Sequence, residues 1–186
     1  MLPWPWLPMP ETLGQDKMTD TDQAETGKDA EKRPGSVRRR TAARLAAIQT
    51  LFQASASGKP LTDVIPGFRE HFLPNLLIEF EIDRLDEDHF TRIVFAASDG
   101  GETINAVIAP LLSEGWVIER IGEVDRAVLW LAYIELRDMV HVPVRAVITE
   151  YTALAETCGA DSGFVNALLD RLARDMRVAE MQTVTS

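Results

Sequence analysis

Between residues 32 and 44 stand six basic side chains and no carboxylate: Lys32, Arg33, Arg38, Arg39, Arg40 and Arg44. A guanidinium chelates phosphate oxygens in a planar fork and stacks on unpaired bases, so such a cluster suits RNA. The whole chain carries a net charge of −10, but a nucleic acid responds to local potential, which here is strongly positive. Arg40 and Arg44 are four residues apart and share a face of any helix they occupy. Arg39 lies to one side, and Arg38 precedes them where the helix frays. Gln49 follows, with an amide that both donates and accepts to a base edge. A solvated basic stretch with no ligand is the plain alternative reading.

The residues that support catalysis elsewhere are not arranged for it here. His71, His89 and His141 are scattered, and none is four residues from another or from Cys158, which is poor metal-ligand spacing. Zinc-protease, P-loop and dinucleotide-binding signatures are absent from the sequence. The acidic run Glu79, Glu81, Asp83, Asp86, Glu87 and Asp88 reads as a solvated loop leading into a helix N-terminus, where carboxylates are favoured. Ser98-Asp99-Gly100-Gly101 reads as a connector between helices. Cys158 falls at the apolar end of a helical pattern and reads as a small core residue. The expectation is a binding protein, with no enzyme activity, metal or cofactor. A single cysteine permits no internal disulfide and suits a reducing cytoplasm.

The chain must position those arginines with helices. Residues 1–36 are rich in Pro, Gly, Asp, Glu, Thr and Lys, with seven carboxylates against Lys17 and Lys28 before residue 32. They read as a disordered extension, within which Met18 offers a second start. The globular part, 37–180, shows helical periodicity almost throughout. The first helix carries Leu45, Ile48, Phe52 and Ser55 on one stripe and stops at Gly58-Lys59-Pro60. A second runs from about Thr62 to Leu73, ended by Pro74, with the segment from Leu76 to Leu85 ambiguous. A third starts near Asp86 and ends at Asp99-Gly100-Gly101. A fourth spans about Thr103–Leu112, with Pro110 as an irregularity. The fifth, Glu123–Met139, is so apolar that it is expected at the centre. Pro143 opens a sixth, closed by Gly159, and Asp161-Ser162 cap a seventh. The fold class is therefore all-α, a bundle of about seven helices. The first ten residues are apolar but broken by four prolines, so no membrane span is expected.

Four ordered segments resemble the NusB family. They are Arg40–Gln53, Ile121–Leu136, Val142–Ala155 and Gly159–Asp170, the last containing Phe164-Val165-Asn166. The resemblance implies two packed three-helix subdomains plus an extra helix, without a catalytic site. It implies pairing with the small-subunit ribosomal protein NusE, binding of the single-stranded boxA element of ribosomal RNA leaders, and a larger complex with other Nus factors and RNA polymerase. It places Arg38, Arg39, Arg40, Arg44 and Gln49 on a basic RNA-binding helix, and Phe164 and Asn166 at a second RNA contact. Phe52, Glu119 and Asp125 fall toward the NusE side. Each has a bland counterpart: Phe164 as a staple into the core, Asn166 bonded to a neighbour, Phe52 on the apolar stripe and Asp125 as a helix-terminal acid. Two features depart from the family: the loop before Phe164 is short and lacks a basic residue, and Phe52 replaces the commoner Tyr. NusB-like modules also occur in RNA methyltransferases beside a long catalytic domain that these residues do not contain. The remaining rival is a helical protein–protein module that never touches RNA.

Overall fold

The computed structural model describes residues 35–182; the internal start at Met18 and residues 1–34 of the expected disordered extension lie outside the described ones, while Gly35 and Ser36, expected to belong to that extension, open the first helix. Eight α-helices run in order through the described residues: α1 Gly35–Ser57, α2 Leu61–His71, α3 Leu73–Glu79, α4 Glu87–Ile108, α5 Glu123–Asp138, α6 Val144–Thr157, α7 Ser162–Met176 and α8 Val178–Gln182. Two 3₁₀ turns, Ala109–Leu111 and Ile118–Arg120, lie between α4 and α5. α5, α6 and α7 pack against one another, while α1 packs on α2, α3 and α4 and joins the two groups by lying along α5.

The ends of these helices follow from local chemistry. Asp86 caps α4 by accepting the His89 N–H at 3.1 Å, and Asp161 caps α7 by accepting the Phe164 N–H at 2.9 Å. Gly159 takes φ of +72° after α6, and the Ala160 N–H reaches back to the Ala155 carbonyl at 2.9 Å, a closed helix end that favours glycine. Pro110 converts the end of α4 into a 3₁₀ turn, because proline cannot donate the next helical bond.

Three expectations change. Pro74 does not end a helix; it occupies the first turn of α3, where its missing N–H costs nothing. The ambiguous segment after it is thus helical as far as Glu79. Gly100-Gly101 is no connector either, since α4 runs unbroken through it. A Cβ on Gly101 would stand 2.6 Å from the Trp130 ring of α5, and the Trp130 indole N–H donates to Asn105 Oδ1 at 2.9 Å one turn farther on. Glycine is there to let α4 lie on a tryptophan. Gly101→Ala is therefore expected to cost about 1–3 kcal/mol by overpacking, although alanine is the better helix former; chemical denaturation would measure it.

The first helix is also more enclosed than one stripe implies. Every residue from Ala42 to Leu51 is buried, with Ala42, Ala43, Ala46 and Ala47 giving α4 and α5 close approach. α5 is central as expected, buried from Leu131 to Leu136 without interruption.

Candidate nucleic-acid interface

The first half of α1 is held by a polar cluster inside the bundle. Arg44 is 3% exposed and Glu135 of α5 fully buried. The Arg44 guanidinium forks onto the Glu135 carboxylate through Nε at 2.9 Å and Nη2 at 2.5 Å. His89 Nε2 of α4 lies 3.1 Å from the same carboxylate. The Arg44 guanidinium also sits 5.8 Å from the centroid of the Tyr151 ring and 3.7 Å from Glu150 Oε2. The Thr41 hydroxyl donates to that Glu150 oxygen at 2.5 Å. Burial alone would push the Glu135 carboxyl up. The hydrogen bonds from His89 and Arg44, with the charge of Arg44, outweigh it and hold the group down to about 2.

This corrects the placement of two expected RNA ligands. Arg44 does not share a solvent face with Arg40: one turn deeper, it is committed to Glu135. Gln49 is 3% exposed and likewise faces the interior. Glu135 was not singled out from the sequence, yet it left a signal. It is a lone carboxylate within the apolar run from Val128 to Leu136, and such a carboxylate must find a buried cation.

Arg38, Arg39 and Arg40, one turn earlier, sit at the rim and are each partly exposed. All three meet the connection between α3 and α4. Arg38 Nη1 donates to the Phe80 carbonyl and to Glu81 Oε2, both at 3.0 Å. Arg39 Nη1 is 3.5 Å from Asp83 Oδ1, and Arg40 Nε is 3.6 Å from Asp86 Oδ2. The Asp86 N–H adds a backbone bond to the Arg39 carbonyl at 3.3 Å. Glu81 adopts φ of +49°, a sparsely populated region for a non-glycine residue, and the double grip of Arg38 offsets that strain. Three carboxylates of the acidic run read as a solvated loop, Glu81, Asp83 and Asp86, thus face the arginines, while Glu87 pairs with Arg69. The Nε of Arg38 and that of Arg40 find no hydrogen-bond acceptor.

A second group forms where α5 and α7 begin. The Asp161 N–H donates to Asp125 Oδ1 at 2.9 Å, so Asp125 ties the two helix starts together. Phe164, half-buried, stacks on Trp116 with ring centroids 5.7 Å apart and planes inclined by 28°. The Arg120 guanidinium lies 5.9 Å from the Trp116 centroid. Asn166 is exposed on the next turn, its amide oxygen accepting from the Thr152 hydroxyl of α6 at 3.3 Å. Glu119 is exposed beside Arg120, and Phe52 is half-buried near the end of α1. The structure thus brings Phe164 and Asp125 to one place and groups Arg38, Arg39 and Arg40 at another. α6 lies between the two, touching α1 through Glu150 and α7 through Thr152. Cys158 is buried, and burial pushes its thiol up to about 12, as fits a core residue. Among the described residues no helix is long and apolar enough to cross a membrane.

The comparisons with known proteins agree with this architecture. The NusB family model matches residues 41–174. The transcription antitermination protein NusB of Sphingopyxis alaskensis is 34% identical over 140 residues, covering 74% of this chain and 94% of that protein. The protein of the same name from Rhodopseudomonas palustris is 32% identical over 165 residues, covering 88% and 98%. Among solved structures, T. maritima NusB superposes with a TM-score of 0.61 at 28% identity over 78% of this chain and 96% of that one. A crystal structure of the antitermination factors NusB and NusE in complex with double-stranded RNA gives 0.59 at 25% identity, over 74% and 98%. With its helical order, its basic rim and a match over most of its length, the chain belongs to the NusB family.

Proposed function

We propose that this chain is a transcription antitermination factor acting in the cytoplasm without catalysis or a cofactor. With the ribosomal protein NusE it binds single-stranded boxA RNA in nascent ribosomal RNA leaders. Together with other Nus factors it makes RNA polymerase resistant to termination. The observation that carries this reading is the row Arg38, Arg39 and Arg40, three cations partly open to solvent and anchored from below by the buried Arg44–Glu135 pair. In a family that includes a solved NusB–NusE–RNA complex, this row is the natural phosphate grip. Phe164 and Asn166 contact the RNA from α7, while Phe52, Glu119 and Asp125 face NusE. Arg44 contributes by holding the rim in place.

Transcription across a terminator placed downstream of boxA, in the presence of the chain, NusE, polymerase and the other Nus factors, tests the function. Read-through that depends on boxA is expected; equal read-through from a scrambled leader contradicts it. The geometry adds a second expectation. RNA phosphates must displace the loop carboxylates, so Glu81→Gln with Asp83→Asn is expected to tighten RNA binding by on the order of fivefold at low salt. The salt dependence should steepen, because no freed carboxylate then recaptures cations. A titration over several salt concentrations reads both, and weaker binding by the double variant would show that the loop is no competitor.

A further inference from the structure

Trp116 is an exposed tryptophan with company. About half of its surface is open to solvent, and so is that of the adjoining Val117, although both stand in a turn of a protein that buries most of its large apolar side chains. Gly115 before it takes φ of +83°, and the Trp116 N–H closes the turn on the Ser113 carbonyl at 3.0 Å. Phe164 stacks against it and Arg120 rests near the ring. Two aromatic rings and a guanidinium, gathered at one surface point from two separate elements, make a platform of the kind on which unpaired bases stack.

We infer that Trp116, with Phe164 and Arg120, forms a stacking site for an unpaired RNA base, the indole supplying the platform and Arg120 the cation for a neighbouring phosphate. The inference rests on the RNA reading above and extends it to residues outside the arginine row. Part of the negative charge around the platform is already committed. Asp161 is spent on the Phe164 N–H, and Asp125 on the Asp161 N–H. Both aspartates therefore serve the helix starts, Glu123 pairs with Arg126 at 4.0 Å, and Glu114 and Glu119 are exposed in the same segment as Arg120. The site also makes good the short loop before Phe164, which has no basic residue of its own: the cation comes instead from the turn after Trp116. Asn166 and Thr152 then lead from the platform across α6 toward Thr41 and the arginines of α1. A single strand lying on the three helices would touch both groups.

The test uses the full chain, with purified NusE, and a boxA-bearing single-stranded RNA as probe. Trp116→Ala is expected to weaken RNA binding by about 5- to 140-fold, the range for loss of one base stack. Trp116→Phe, which keeps a ring, should retain most of the affinity. Subtracting the fluorescence of Trp116→Phe from that of the unchanged chain isolates the Trp116 emission, which should be quenched as RNA is added. Arg120→Ala should lower the slope of log affinity against log salt by about 0.7. Trp116 stands in a turn, so helicity and the affinity for NusE should not change. RNA binding by Trp116→Ala at the unchanged affinity, with no quenching, overturns the platform while leaving the arginine row intact. Loss of NusE binding by Trp116→Ala, with RNA binding by the chain alone unaffected, overturns it in favour of a protein-docking surface. Failure of the unchanged chain to bind RNA at all would sink both readings.

Discussion

Arg44→Ala is expected to destabilise the fold by about 3–5 kcal/mol, a large fraction of the stability of a domain of this size. The substitution leaves the Glu135 carboxylate fully buried without its cation, beside His89, and an uncompensated charge in a low-dielectric interior is what makes such breaks severe. Glu135→Gln, which leaves Arg44 with the Glu150 carboxylate alone at 3.7 Å, should also destabilise the fold. Replacing both with apolar residues of like volume should cost far less, since removing an ion pair together spares the desolvation of either member. Urea denaturation of the three variants checks the ordering; equal losses in single and double variants would show that packing, not charge, governs the site. The pH dependence has a definite sign. The Glu135 carboxyl is held at about 2 in the folded protein against an ordinary 4.5. Its contribution is therefore fully present above about pH 4.5 and is lost as pH falls toward 2. By linkage this amounts to about 3 kcal/mol, so an acid-unfolding profile should steepen in that window and flatten in Glu135→Gln.

Arg39→Ala with Arg40→Ala is expected to act in the opposite way, sparing the fold and damaging binding. Both side chains are partly exposed, and their partners Asp83 and Asp86 lie across an exposed ion pair, of a class worth little to stability. Against RNA each guanidinium offers a charge-assisted bond to phosphate, so their joint loss should weaken binding by on the order of ten- to a hundredfold at low salt. For a single strand the slope of log affinity against log salt should fall by about 1.4. Arg38 is left in place because it also grips the Phe80 carbonyl, and its removal would confuse loop structure with affinity. The contrast between the two sets of arginines, one turn apart on α1, is the sharpest consequence of the structure. Arg44→Ala should lower the unfolding midpoint, whereas Arg39→Ala with Arg40→Ala should lower affinity at an unchanged midpoint. An unaltered salt slope in the double variant would remove these residues from the interface.

The sequence carried the parts of this picture that depend on neighbours within a turn or two. Periodicity located α1, α5, α6 and α7; Asp161 and Gly159 marked their own helix ends through bonds to residues at most five positions away. Features that depend on distant partners were not legible. Gly100-Gly101 reads as a break unless one knows that Trp130 will lie against it. Arg44 reads as a surface cation unless one knows that Glu135, 91 residues on, will lie beneath it. The acidic run was visible as charge, but its role as counterpart to Arg38, Arg39 and Arg40 arises only when the connection before α4 folds over the start of α1. In the sequence Trp116 is a single aromatic residue between Gly115 and Gly122; its meaning comes from Phe164, brought up by α7.

The central claim is that the basic rim of α1, in company with NusE, selects a leader transcript. Competition binding measures this directly: the purified two-protein complex holds a labelled boxA strand at moderate ionic strength while unlabelled boxA or a scrambled strand of equal length is added. Displacement by boxA at a concentration at least tenfold lower than by the scrambled strand is predicted, with the preference abolished when Arg39 and Arg40 are both alanine. Equal displacement by the two competitors would contradict the account.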